Sequence, residues 1–368
     1  MQLHLVTWFR NLYLMVRRNI VRISFLSIFF LAAFTTLGTT IVQQHNYLRR
    51  PVEGILPEIF PKEELIQFRF YSYDTEYRYP PINVDFKAKI DSENIDLPIV
   101  NPHPFNFILK ADHVCDKAKN ASLVIIVKSA VDHFALREVL RKTWIPKAKA
   151  NNIYVVFALG FIKSLQHRVL KENDKYHDIL QEDFVDNYLN NTYKTIMTFN
   201  WVVKYCNNVK HVYFDDDDMF LHIDNLVSYV QKLESETNNR LFSGSLSDRG
   251  KPVRDISSKW YISWEEYPFD YWPPYVGGSS MIAHISIVQD MQKIFPYVRP
   301  VNFDDVYLGI ILRKLKTAPT DNPFFDNVHL RNFQQLKYLI ANHGFDDPQL
   351  YNSTFYEIFP VKTETSRA

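Results

Sequence analysis

From residue 122 onward, near-continuous apolar runs alternate with apolar positions at helical spacing. Leu123-Val124-Ile125-Ile126-Val127 is such a run, rich in β-branched residues; it suits a strand in a parallel sheet covered on both faces. A helix is predicted from about Phe134, with Asp132 as its N-cap and Pro146 beyond its end. Ile153 to Leu159 reads as a second buried strand closed by Gly160. Ile196, Phe199, Val203 and Cys206 then recur at the spacing of a packed helix. His211 to Phe214 is a short strand that runs straight into acidic residues. Strand and helix alternating in this way predict a three-layer α/β domain with a mostly parallel central sheet. Ligands of such sheets bind beyond the carboxyl ends of the strands.

The first hundred residues are patterned differently. Ile23 to Val42 carry no charge over 20 residues, enough for a helix to span a bilayer and longer than the apolar core of about 7–15 residues in a signal peptide. Arg10, Arg17, Arg18 and Arg22 precede this stretch, and the first acidic residue is Glu53. Arg49 and Arg50 on the far side weaken the asymmetry without reversing it. The expected organisation is therefore a cytosolic tail over 1–22, a type II signal anchor over 23–42, a lumenal stem over 43–100 and a globular domain over 101–368. Prolines at 51, 57, 61, 80, 81 and 98 mark the stem, whose tyrosine-rich patch Tyr71 to Tyr79 is expected to dock on the domain that follows. Sequons at Asn120, Asn190 and Asn352 all fall on the lumenal side.

Composition adds limits. A net charge of +1 and the lack of a basic stripe argue against a nucleic-acid partner. Two cysteines, Cys115 and Cys206, allow one disulfide or two buried free thiols, and are too few for a structural zinc site.

The chemistry is concentrated in acids. Asp215 to Asp218 lie between Val212-Tyr213-Phe214 and Met219-Phe220-Leu221. Like charges about 4 Å apart repel by roughly 4 kcal/mol at an effective dielectric near 20, so an acid cluster at a strand end calls for a divalent cation, which takes carboxylate oxygens. A metal shared with a diphosphate needs few protein ligands, and two carboxylates one residue apart supply them; the plainer reading is a solvated acidic loop. Asp304-Asp305 open a weak helical stripe and fit either simple capping of the helix dipole or a general base. Arg137, Arg141 and Lys142, with Trp144 at the helix end, suit phosphate or a solvated helix face. His343 is a lone histidine. Trp260, Tyr261, Trp264, Tyr267, Trp272 and Tyr275, ending at Gly277-Gly278, suit either core packing or the apolar faces of sugar rings. No Walker loop, Gly-x-Ser-x-Gly, His-Glu-x-x-His or Gly-x-Gly-x-x-Gly is present, which disfavours kinase, hydrolase and dehydrogenase chemistry.

Taken in order, several segments resemble the β1,3-galactosyltransferase family, the inverting Golgi hexosyltransferases of glycosyltransferase family 31. They are Val127-Lys128-Ser129, the Arg137-to-Trp144 helix, Glu172-x-x-x-Tyr176-x-Asp178-Ile179 continuing to Tyr188, and Asn191-Thr192-Tyr193-Lys194. The aspartates with Phe220, Lys259-Trp260-Tyr261, Glu266-Tyr267-Pro268, Pro273-Pro274-Tyr275, Gly278 and Asp304-Asp305-Val306-Tyr307-x-Gly309 follow, over about residues 105–345. The resemblance implies a GT-A type nucleotide-sugar-binding domain, a UDP-sugar donor, a divalent metal (usually Mn2+), a glycan acceptor on lipid or protein, and a β1,3 linkage made in the Golgi membrane. It implies Asp216 and Asp218 as metal ligands joined by His343, Asp305 as acceptor base beside Asp304, and Arg137, Arg141, Trp144, Asp216, Asp217 and Gly278 around the nucleotide. Galactose, N-acetylglucosamine and N-acetylgalactosamine donors all occur among such proteins, with galactose favoured here. Val276 stands where the family often has cysteine, so one common disulfide is expected to be missing, and Ser279-Ser280-Met281 and Phe214 depart from the family around the sugar pocket. A silent lumenal partner or chaperone of an active transferase, and a lectin-like adhesion protein, are the rival readings. Homo- or hetero-oligomers are both compatible with the sequence.

Overall fold

Every residue of Leu123–Val127 is fully buried. Val124 and Ile126 join the principal core with Ile196, Phe199, Met291 and Tyr307, and because side chains alternate along a strand, Leu123, Ile125 and Val127 are buried on the opposite face. The sheet is thus covered on both sides, as the β-branched run requires. The computed structural model describes residues 77–360 except 118–120, 236–237 and 329–331. The expected tail and anchor, most of the stem and Asn120 lie outside the described residues, among which no helix is long and apolar enough to cross a membrane.

Among the described residues the strands are β1 (Phe107–Leu109), β2 (Leu123–Lys128), β3 (Tyr154–Phe161), β4 (Ile179–Val185), β5 (His211–Asp216), β6 (Met219–Leu221), β7 (Phe242–Ser247), β8 (Tyr275–His284), β9 (Thr320–Asp321), β10 (Phe325–Asp326) and β11 (Ala341–His343). Eight form the main sheet in the order β1-β4-β3-β2-β5-β8-β7-β9, and β10-β11-β6 make a smaller one. The central β4-β3-β2-β5 block is parallel, while β8 runs antiparallel to β5 and β7. Helices Asn191–Tyr205, Ile285–Ile294 and Asp304–Lys314 pack on one another and against the principal core. This is the GT-A type α/β fold expected from the sequence.

Local details correct several expectations. The helix expected from about Phe134 spans Phe134–Lys142, and its N-cap is His133, which makes no side-chain cap hydrogen bond; Asp132 does not cap it, and the His133 ring turns to Asp217 instead. Strand β3 runs through Gly160 to Phe161. Glycine is required there because a Cβ would lie 2.6 Å from the Phe184 ring and 2.9 Å from Asp186 Cβ, not because the strand ends.

The stem boundary also moves. Tyr79 and Phe86 are fully buried in the principal core. Lys314 Nζ donates to the carbonyls of Tyr77, Tyr79 and Pro81, and the Tyr79 hydroxyl donates to Arg299 O at 3.1 Å. Residues 77–100 therefore belong to the globular unit, because an aromatic anchor and three backbone carbonyls find their partners there.

Cys115 and Cys206 are bonded, joining helix Asp112–Lys117 to the C-cap of Asn191–Tyr205. The bridge closes a loop of 91 residues, for which the chain-entropy account gives about 4–5 kcal/mol. Cys115→Ser with Cys206→Ser is expected to lower the denaturant midpoint correspondingly under non-reducing conditions. An unchanged midpoint would show that the cross-link contributes nothing.

Candidate active site

The parallel strands β2 and β5 end side by side, with Lys128 paired to Asp216 in register. Asp215 and Asp216 close β5 while Asp217 and Asp218 make the turn into β6, and the four side chains take four different environments. Asp215 is buried and accepts from the Tyr213 hydroxyl at 3.2 Å; burial, with Asp216 next to it, pushes its carboxyl well up. Asp216 Oδ1 lies 3.2 Å from Lys128 Nζ. Asp217 accepts from Ser129 Oγ at 2.5 Å and pairs with His133 Nδ1 at 2.9 Å. Asp218 pairs with His343 Nε2 at 3.1 Å.

His343 is brought there by pairing: β11 runs antiparallel to β6 with His343 opposite Met219, and Phe345 N donates to Asp218 O at 2.9 Å. The hydrogen bond to Asp218 raises the His343 imidazole above its ordinary value.

The second acidic pair sits in the first turn of Asp304–Lys314. Asp304 accepts from Lys128 Nζ at 2.7 Å and from Thr195 Oγ1 at 2.8 Å. Lys128 Nζ also donates to Gly278 O at 2.9 Å. One buried ammonium therefore spans the two acidic clusters and the β8 backbone between them. A Cβ at Gly278 would come within 3.2 Å of Asp304 Oδ1 and 3.3 Å of Asp305 Cβ, so any larger residue would push on the acid pair.

The electrostatics follow from this packing. Burial raises Asp216, and the neighbouring Asp218 and Asp304 add to it; Lys128 opposes them, leaving the carboxyl at about 7. Burial pushes Asp304 up as well, but the charge and hydrogen bond of Lys128, with Thr195, hold it below the usual carboxylate range. Asp305 receives one backbone hydrogen bond, from Val306 N at 2.7 Å, and burial beside ionised Asp304 raises it to about 7. Paired acids whose environments drive them apart in this way mark acid–base sites.

Other predicted site residues stand behind this surface rather than on it. Arg137 is fully buried. Its guanidinium donates to Glu172 (2.9 Å from both Nε and Nη2), to Ser129 Oγ at 2.9 Å, and to the carbonyls of Ala130 and Val131 at 2.6 and 3.0 Å. Arg141 makes ion pairs with Glu172 at 2.7 Å and Asp178 at 2.8 Å. These donors are committed internally, so the structure corrects the expectation that both arginines grip a diphosphate; Arg137 braces the β2 terminus that carries Ser129. Trp144 is likewise buried in the core and presents no ring to a nucleotide. Lys128, His133 and Thr195 are residues of this site to which the sequence reading gave no role, although Lys128 stood in a segment quoted for the resemblance. A lysine directly after an unbroken apolar strand was the one available signal, and it pointed to burial without naming a partner.

A divalent cation suits the donor set at the aspartate turn. Asp218 Oδ1 is buried with no hydrogen-bond partner, and Asp216 and Asp218 offer hard oxygen ligands with the His343 ring alongside. Among the described residues no three His, Cys, Asp or Glu side chains form a ready cage.

An α/β domain with paired carboxylates at the carboxyl end of a strand, facing a second pair in a helix's first turn, suits the broad class of enzymes that bind ligands beyond the strand ends of such sheets. The comparisons narrow it: the Galactosyltransferase family model matches residues 135–323, and the chain belongs to that family. The β1,3-galactosyltransferase 1 proteins of Mus musculus and Homo sapiens are each 34% identical over 238 residues, covering 64% of this chain and 72% of theirs. The Rattus norvegicus lactosylceramide 1,3-N-acetyl-β-D-glucosaminyltransferase is 30% identical over 300 residues, covering 77% of each. The UDP-GalNAc:β-1,3-N-acetylgalactosaminyltransferase 1 of Rattus norvegicus is 34% identical over 266 residues, 69% of this chain and 78% of that one. The solved WbbM bifunctional glycosyltransferase covers 66% of this chain and 50% of its own at 12% identity and a TM-score of 0.39, too weak a likeness to build on. The protein is a glycosyltransferase of the β1,3 family, which includes galactose, N-acetylglucosamine and N-acetylgalactosamine transferases.

Proposed function

We propose that the protein is an inverting hexosyltransferase that moves a sugar, galactose first among the candidates, from a UDP-sugar to an acceptor glycan hydroxyl in β1,3 linkage. The bridging of the two acidic clusters by Lys128 supports this most: it holds a cation-binding turn and a separate raised carboxyl at one place. Asp305 takes the proton of the acceptor hydroxyl as that oxygen attacks the anomeric carbon. The new carbon–oxygen bond forms on the face opposite the breaking bond to the diphosphate, so an α-linked donor gives a β product. Asp304, kept ionised by Lys128, holds Asp305 in its basic range. His133 and Ser129 fix Asp217 beside the nucleotide, and Arg137 fixes Ser129. A divalent cation, when held by Asp216 and Asp218 with His343, supplies Lewis-acid stabilisation of the departing diphosphate. A type II anchor at 23–42 and Golgi residence belong to the same reading, as does the choice among UDP-galactose, UDP-GlcNAc and UDP-GalNAc.

A base raised to about 7 must lose its proton before it can act. kcat/KM is therefore expected to fall about tenfold per pH unit below 7 and to level off above it. A profile flat from pH 5 to 8 contradicts this assignment. The wider test is a donor-by-acceptor screen of the full-length protein in detergent, with linkage analysis of the product. No UDP release with any donor and acceptor overturns the transferase reading in favour of a silent partner, and UDP release without glycan product overturns it in favour of a donor hydrolase.

A further inference from the structure

The aromatic stretch from Trp260 to Tyr275 divides in the folded protein. Tyr267 and Trp272 pack into the core with ring centroids 3.9 Å apart. Trp260 remains half exposed, and its Nε1 donates to the Tyr188 hydroxyl at 2.8 Å. Lys259 Nζ lies 5.2 Å from the Tyr188 ring centroid and 4.7 Å from that of Trp260. Two aromatic faces and an ammonium thus meet at the surface, joined by a hydrogen bond across 72 residues of sequence.

Covalent neighbours of this pair reach the catalytic acids on both sides. The Tyr188–Asn190 turn leads into helix Asn191–Tyr205; there Thr192 Oγ1 donates to Val301 O at 2.7 Å and Thr195 Oγ1 to Asp304 at 2.8 Å. On the other side Tyr261 lines a small cavity with Glu266 and with Asn302 and Phe303, which lead directly into Asp304. In agreement, burial raises the Tyr188 phenol, and the charges of Asp305, Asp304 and Asp216 raise it further.

We propose that Tyr188 and Trp260, with Lys259 between them, form the acceptor subsite, on which a pyranose ring stacks its C–H face and is steered toward Asp305. Aromatic faces match the apolar face of a β-linked pyranose, and an ammonium held over the rings donates to hydroxyls at the ring edge. The Trp260–Tyr188 hydrogen bond sets the angle of the platform. The subsite rests on the transferase reading above and adds to it the ligand that the exposed aromatics hold.

The test uses the full-length protein and the acceptor found in the screen. Trp260→Ala is expected to raise the acceptor KM at least tenfold with the donor KM unchanged. Trp260→Phe keeps a ring but loses the hydrogen bond, and is expected to recover part of the loss. Trp264, equally exposed but stacked under Arg254 at 3.9 Å, serves as the control, with Trp264→Ala changing the acceptor KM less than twofold. A rise in donor KM, or a fall in kcat with the acceptor KM unmoved, overturns the proposal. Saturation-transfer NMR with methyl β-galactoside and methyl β-N-acetylglucosaminide reads the contact without turnover: ring C–H signals are expected with the wild type and lost in Trp260→Ala. Saturation transfer without any product keeps the subsite and sinks the transferase reading. Product formation with Trp260→Ala behaving as wild type does the reverse, and neither signal nor product overturns both.

Discussion

Asp305→Asn is expected to lower kcat by about 10²–10⁴-fold, the range that a general base contributes, while UDP binding in the presence of Mn2+ stays as in the wild type. The substitution keeps the shape of the side chain, so the Val306 N–H that bonds Asp305 Oδ1 at 2.7 Å still finds an oxygen. What is lost is the ability to take a proton. The Lys128 ammonium is committed to Asp216, Asp304 and Gly278 O, so the donor side should be undisturbed. Calorimetry of UDP binding together with single-turnover transfer separates the two effects. Full activity in the variant would move the base to another residue.

Lys128→Met should damage both stability and catalysis. The side chain is almost completely buried and meets three oxygens; methionine is similar in length but leaves Asp216 and Asp304 facing each other without a counter-charge. Removing one partner of a buried ion pair costs about 3–5 kcal/mol, which chemical denaturation should register near neutral pH. The sign of the pH dependence is defined. Asp304 is held below the usual carboxylate range in the fold, so its contribution is present above its unfolded value and lost as pH falls through the folded one. The variant forfeits that contribution. Lys128 also lowers Asp305, so the acid limb of any remaining activity should move to higher pH. Transfer should fall about 10²-fold or more, as expected when reacting groups shift by about 1 Å. Wild-type stability with an unmoved pH limb would show that the bridge is dispensable.

Much of the architecture was legible because it depends on short-range pattern. The β2 run, the buried strand after Ile153 and β5 follow from apolar runs and β-branched content, and each begins within one residue of where its pattern predicted, though β3 runs on through Gly160 and β5 through Asp216. Asp304 and Asp305 in the first turn of a helix were equally readable from local order. The errors arose where a residue's partner is distant in sequence. Arg137 and Arg141 read as phosphate ligands because an arginine-bearing helix gives no sign that Glu172 and Asp178 will meet it from another element. Tyr77 and Tyr79 dock as expected, but the chain from there to residue 100 read as stem because the carbonyls offered to Lys314 are satisfied more than 230 residues away.

Residue order alone was enough for the layered domain, for the two acid clusters at element ends and for the family, since each is a matter of local spacing or of motifs in series. The folded chain decided which of four consecutive aspartates faces Lys128, which faces His343 and which is buried, because that depends on how β5 turns into β6 and on the register of β11. It also decided that a single ammonium joins Asp216 to Asp304 across 176 residues between Lys128 and Asp304. Charge attracts through space, so the pairing that sets the acidities of this site exists only once β2, β5, β8 and the Asp304 helix have come together.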